Sequence, residues 1–140
     1  MTVLLVFAGG AVGAPVRYLL DRWITGRRRA GVFPWGTLAV NLIGALILGF
    51  VLGAARDLPD SVVTLVGTGF CGALTTFSTF GYETMRLLED GSVLEAGLNA
   101  LGSLVAGLAL AAAGFLLGGL IARAPLSWLC PRPRGPSGRR

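Results

Sequence analysis

The stretch Gly69-Phe70-Cys71-Gly72-Ala73-Leu74-Thr75-Thr76-Phe77-Ser78-Thr79-Phe80 places four hydroxyl residues among six positions, beside glycines and phenylalanines. It lies inside a run, Ser61 to Tyr82, that is otherwise apolar enough to cross a bilayer. Hydroxyl side chains compete for nearby backbone groups, and Gly72 is a weak helix former, so the expected outcome is a helix broken at mid-depth. Such breaks are tolerated in a membrane only where protein or a polar cavity receives the freed carbonyls and amides. A kinked but continuous helix, with the hydroxyls bonded to the preceding turn, is the alternative.

Outward from this stretch the chain has the same character. Of its 140 residues 54% are hydrophobic and only 14% charged, against roughly 25% charged in soluble domains. A spanning helix needs roughly 20 mainly apolar residues. Four such segments are legible: Val3 to Leu20, Gly36 to Ala55, Ser61 to Tyr82 and Val93 to Ile121. The intervening "DRWITGRRRAGVFP", "RDLPD" and "RLLEDGS" carry charge with Gly or Pro and read as loops. The composition thus predicts an all-α integral membrane protein, with one four-helix domain over residues 1–122. Residues 123–140 form a basic tail rich in Pro and Gly, expected to be disordered and to lie against lipid headgroups.

A net charge of +5 would suggest nucleic acid in a soluble protein, but here the arginines flank apolar spans and anionic lipid explains them more simply. With four spans, Arg56, Arg123, Arg132, Arg134, Arg139 and Arg140 share one side of the membrane, and Arg17, Arg22, Arg27, Arg28, Arg29 and Arg86 the other. The balance is six to six, so the positive-inside rule favours neither orientation and dual insertion is plausible. The chain has no histidine, and its two cysteines, Cys71 and Cys130, lack a ligand spacing, which argues against zinc and haem. The first span lacks a basic leader, and Pro15 follows "AVGA" directly, so it reads as an uncleaved helix.

Polar residues within the spans are the candidate functional groups. Asn41 lies one turn from Thr37 and one from Gly44, on a face that meets protein or water and not lipid. Alone, it could simply bond two helices together. Asn99 and Ser103 repeat the pattern in the last span, and four short helices are expected to bring the Asn41 and Asn99 stripes against a second copy. Gly9 with Gly13, Gly49 with Gly53 and Gly114 with Gly118 have the spacing of close helix packing. Phe77 and Phe80 stand three apart, on one helical face. Either they fill core volume, or their positive ring edges turn toward a narrow polar path and stabilise an anion. Arg17 either raises anion concentration in a vestibule or snorkels to headgroups. No span carries a carboxylate at its middle, as a proton-coupled exporter would need, and no group reads as catalytic.

"GGAVGAPVRY", "GTLAVNLIG" and "GFCGALTTFSTFGYE" resemble, in order, the three signature motifs of the CrcB/Fluc fluoride channel family, over roughly residues 9 to 121. The resemblance implies an antiparallel, dual-topology homodimer in the cell membrane that exports cytoplasmic fluoride passively and protects against its toxicity. It implies that Asn41, Phe77 and Phe80 line the pore, with the hydroxyls of Ser78 and Thr79 beside the path. Arg17 and Glu83 match vestibule and pore-end positions. Gly72 and Thr75 match the positions whose backbone carbonyls hold a structural sodium ion, and Ala73, where many relatives have a second glycine, leaves that intact. Two other classes remain for comparison: a small multidrug transporter, which the lack of an acidic residue in the first span opposes, and a structural subunit whose polar stripes only join helices.

Overall fold

The computed structural model describes residues 1–27 and 33–123. Among these residues all regular structure is helical. Helix α1 spans Thr2–Arg27 and α2 spans Trp35–Gly53. The third span is composite: a short α3, Asp60–Val62, runs into a π-helical stretch, Val63–Cys71, then α4, Gly72–Leu74, and after a break α5, Phe77–Glu89. Helix α6 spans Val93–Arg123. Four segments are long and apolar enough to cross a membrane, with mean hydropathy between 1.4 for the composite third span and 2.3 for the last. The chain is a multi-pass membrane protein, and the broken third span is present as the hydroxyl run implies. The basic tail falls outside the described residues apart from Arg123, which closes α6.

Two boundaries differ from the sequence reading by more than two residues, both by extension. Helix α1 continues through "DRWITGR", which charge alone marks as loop. Hydropathy locates the membrane, whereas the helix ends only where backbone bonding stops. The overhang is supported by one-turn pairs: Arg22 Nη1 donates to the Tyr18 hydroxyl at 2.8 Å, and the Thr25 hydroxyl to Asp21 Oδ1 at 3.4 Å. Helix α5 likewise runs past Tyr82 to Glu89, where it ends in a Schellman motif. Ser92 N–H reaches the Leu87 carbonyl at 2.8 Å and Gly91 N–H the Leu88 carbonyl at 3.1 Å. Gly91 supplies the φ of +76° that this turn requires.

Glycines set the packing. Helix α2 packs chiefly on α6, and α1 on the π-helical stretch. Gly49 and Gly53 approach the backbone of Ala111 and Phe115, while Gly114 and Gly118 return the contact onto Leu46 and Phe50. A methyl group added at Gly53 would stand 2.8 Å from the Phe115 carbonyl carbon, so neither helix tolerates a side chain there. Helix pairs this close gain dispersion without needing an apolar driving force, which lipid removes. Gly9 and Gly13 play the same part for α1, against Leu65, Gly69 and Phe70. All three glycine pairs read from the sequence therefore lie at close contacts. Helix α5, by contrast, touches mainly α6 and only lightly α2, so its position depends on a few polar bonds.

Candidate functional site

The break falls at Thr75 and Thr76, both extended, with φ, ψ of −81°, 158° and −146°, 125°. Thr75 closes the preceding helix with its own groups: its N–H and its hydroxyl both donate to the Cys71 carbonyl at 3.0 Å. Thr76 opens the next. Its hydroxyl oxygen accepts the Thr79 N–H at 3.3 Å, the N-cap arrangement expected of a threonine. That hydroxyl also donates to Thr79 Oγ1 at 3.0 Å and lies 3.4 Å from Ser78 Oγ. The hydroxyl run therefore builds the start of α5.

Asn41 of α2 bridges the break. Its Oδ1 accepts the Thr76 N–H at 2.8 Å and its Nδ2 donates to the Thr76 carbonyl at 3.1 Å. One amide thus satisfies both backbone groups of the residue that leaves the helix, which a span in hydrocarbon must do internally. Among the described residues the Asn41 Nδ2 makes that one bond, leaving its second N–H without an acceptor. Asn41 meets its own chain here, and so does Asn99, whose Nδ2 donates to Thr84 Oγ1 at 2.8 Å. The two asparagines of the stripes expected to face a second copy are thus each bonded within the chain.

The break also takes the in-helix donors from the carbonyls of residues 72–75, those of Gly72 and Thr75 among them. In an unbroken helix the Thr76 N–H would close on the Gly72 carbonyl and the Thr79 N–H on that of Thr75. Both donors are diverted, to Asn41 Oδ1 and to Thr76 Oγ1. The Thr75 carbonyl accepts instead from Arg17 Nη1 of α1, at 3.4 Å. Arg17 therefore points inward at the break and does not simply reach for headgroups. Gly72 is exposed, and with Asn41, Gly44, Cys71 and Thr75 it lines an open groove of about 490 Å³ between α2 and the third span.

Phe77 and Phe80 follow on α5 with ring centroids 5.9 Å apart and planes inclined at 40°. Phe77 is 84% exposed and Phe80 half-buried, so the rings do not fill the core of a single chain. One turn on, the Glu83 carboxyl faces Thr37 of α2, which is buried, and its Oε2 has no hydrogen-bond partner. The structure thus groups Asn41, Gly72, Thr75 and Arg17 at the break. It sets Phe77, Ser78, Thr79, Phe80 and Glu83 along the first two turns of α5. Sequence reading missed two participants: Thr76, whose backbone is what Asn41 holds, and Thr84, whose hydroxyl donates to the Phe80 carbonyl at 2.7 Å while accepting from Asn99. The Thr84–Asn99 pair joins positions in two spans, and no spacing within either one signals it.

A small four-span protein whose third span is interrupted at mid-depth, with freed carbonyls and an aromatic pair at the interruption, has the construction of an ion-conducting membrane protein. The family described as CrcB-like protein, Camphor Resistance (CrcB), matches residues 4–115, and the chain belongs to that family. It is 52% identical over 124 residues to Fluoride-specific ion channel FluC 1 of Frankia casuarinae, covering 84% of this chain and 95% of the relative. It is 53% identical over 116 residues to the FluC 1 protein of Streptomyces avermitilis, covering 81% and 93%. To Fluoride-specific ion channel FluC 2 of Moorella thermoacetica it is 48% identical over 120 residues, covering 85% and 98%.

Proposed function

We propose that this chain is a fluoride-selective ion channel, not an enzyme, which lets cytoplasmic fluoride leave passively and so protects against it. The observation that carries the reading is the Phe77–Phe80 pair, set on an exposed face immediately after a break clamped by Asn41, in a chain about half identical to proteins named for fluoride conduction. Fluoride holds its water strongly, so a path that admits it must offer close donors, and one that refuses chloride must be narrow. Phe77 and Phe80 offer positive ring edges. Asn41 offers its uncommitted N–H, Ser78 and Thr79 stand beside the rings, Arg17 draws anions toward the break, and Glu83 marks the pore end.

The exposed rings and the open groove support assembly with a second copy in antiparallel orientation, since one chain leaves both uncovered. The balanced arginines permit that arrangement. The carbonyls of Gly72 and Thr75, which the diverted Thr76 and Thr79 donors leave unbonded within the helix, fit a small hard cation, because two such oxygens from each of two copies make an all-oxygen set. Each carbonyl has two lone pairs, so Thr75 can face a cation and still accept from Arg17. Sodium bound there would tie the copies together. Membrane lipid is the remaining partner, and no nucleic acid is involved.

The test is efflux from liposomes followed with a fluoride electrode. Fluoride flux without a proton gradient, and none of chloride, is the expected result; drug-dependent proton flux would indicate a multidrug transporter, and silence a structural subunit. Phe77→Ile and Phe80→Ile keep apolar bulk but remove the ring edge. Each should slow fluoride about tenfold, the change produced by about 1.4 kcal/mol at the barrier.

A further inference from the structure

Asn99 is the only polar residue besides Thr37 to be buried among the described residues, and at 0% exposed it is the more deeply enclosed. Its Oδ1 has no hydrogen-bond partner. An amide with an orphaned acceptor is a poor choice for a buried position, where an apolar side chain would leave nothing unmet. What the amide provides is its N–H, donated to Thr84 Oγ1 at 2.8 Å. Thr84 spends its own proton on the Phe80 carbonyl at 2.7 Å. The donors therefore run in one direction, Asn99 to Thr84 to Phe80, and each bond polarises the next.

The fold gives this chain of bonds a task. Helix α5 begins after a break and packs lightly on α2. Its first residue is held by Asn41 through the N-cap Thr76. That hold and the Glu83–Thr37 contact both tie α5 to α2. The Asn99–Thr84 bond ties it to α6, two turns along, on the turn that carries the Phe80 carbonyl.

We infer that Asn99 and Thr84 are positioning residues for Phe80, fixing the rotation of α5 against α6 so that the ring edge stays aimed at the anion path. This rests on the reading of Phe80 as part of that path, and the experiment keeps the two separable. Thr84→Val keeps the shape and deletes the hydroxyl, Thr84→Ser keeps the hydroxyl, and Asn99→Leu deletes the donor. Each is compared with Phe80→Ile by fluoride efflux, in protein that elutes as the parent does. A 4-fluorophenylalanine placed at position 80 reports the ring's surroundings by fluorine resonance without reference to flux.

Thr84→Val and Asn99→Leu should each slow efflux by up to about tenfold, as loss of one hydrogen bond allows, and shift the fluorine resonance. Thr84→Ser should restore both, and the double variant should be no worse than either single one, because all act through one chain of bonds. If Thr84→Val does not fold, Asn99→Leu carries the same comparison. Parent-like efflux and resonance in Thr84→Val and Asn99→Leu, beside a slow Phe80→Ile, overturn the positioning role and leave the pore reading standing. Parent-like efflux in Phe80→Ile overturns both. Equal slowing by Thr84→Ser and Thr84→Val also overturns it, since the hydroxyl would then not be what matters.

Discussion

Asn41 shows how one side chain can serve two purposes. Its carboxamide matches the N–H and C=O of Thr76 as a second peptide group would, with bonds of 2.8 and 3.1 Å. Aspartate would keep the acceptor and lose the donor, leaving the Thr76 carbonyl unmet and placing a group that is negative if ionised in the proposed anion path. Asn41→Asp should abolish fluoride efflux and lower unfolding stability by about 1–3 kcal/mol. Efflux and a thermal melt of the same preparation check the two parts, and parent-like efflux would remove Asn41 from the path. The sequence marks Asn41 because an amide is costly in hydrocarbon. It does not reveal the partner, since Thr76 is 35 residues away and its backbone has no side-chain signature.

Among elements, the contrast is between glycines that touch a neighbour and glycines that do not. Gly53 of α2 and Gly118 of α6 face backbone across the helix pair, whereas nothing lies within 4 Å of a methyl group added at Gly97. Gly53→Ala and Gly118→Ala must push α2 and α6 apart, and each should lower the melting midpoint in detergent with a cost of about 1–3 kcal/mol. Gly97→Ala should raise it, by about 0.5–1 kcal/mol, because alanine loses less backbone freedom on entering a helix. Equal effects at the three positions would show that glycine serves chain flexibility here and not close approach. The spacing of these pairs is visible in the sequence. Which pair meets which is not, because a four-residue repeat fixes a face of a helix and says nothing about its neighbour. The π-helical stretch before the break is likewise invisible to composition: along it Gly69 lies against Val6 and Gly9 of α1, and Gly67 against Leu48 and Val51 of α2.

For the whole molecule, the four-span reading assigns the twelve arginines six to each side. A single cysteine at Asp57, with Cys71 and Cys130 replaced, should react with a membrane-impermeant reagent in about half of the molecules of intact cells, as an unbiased topology requires. Labelling from one side alone would exclude an antiparallel pair. The proposed sodium site belongs to the same scale, because two copies would be needed to complete its ligands. Crystals grown in sodium should show density on the two-fold axis beside Gly72 and Thr75, and absence of such density would refute the cation site.

The sequence by itself determined that this is a four-span membrane protein, and it pointed to an interrupted third span. Each of those statements depends on local quantities: apolar length against bilayer thickness, and hydroxyls competing with their own backbone. It determined the family too, through motifs that lie each within one span. Only the tertiary structure decided what the polar residues hold. Arg17 reaches the Thr75 carbonyl, Asn41 closes the break, and Asn99 fastens α5 through Thr84, all between residues of different spans. The physical reason is that an unmet polar group in an apolar interior is costly while its partner is a matter of geometry. Sequence shows that a buried amide calls for a partner, and only packing shows which group supplies one.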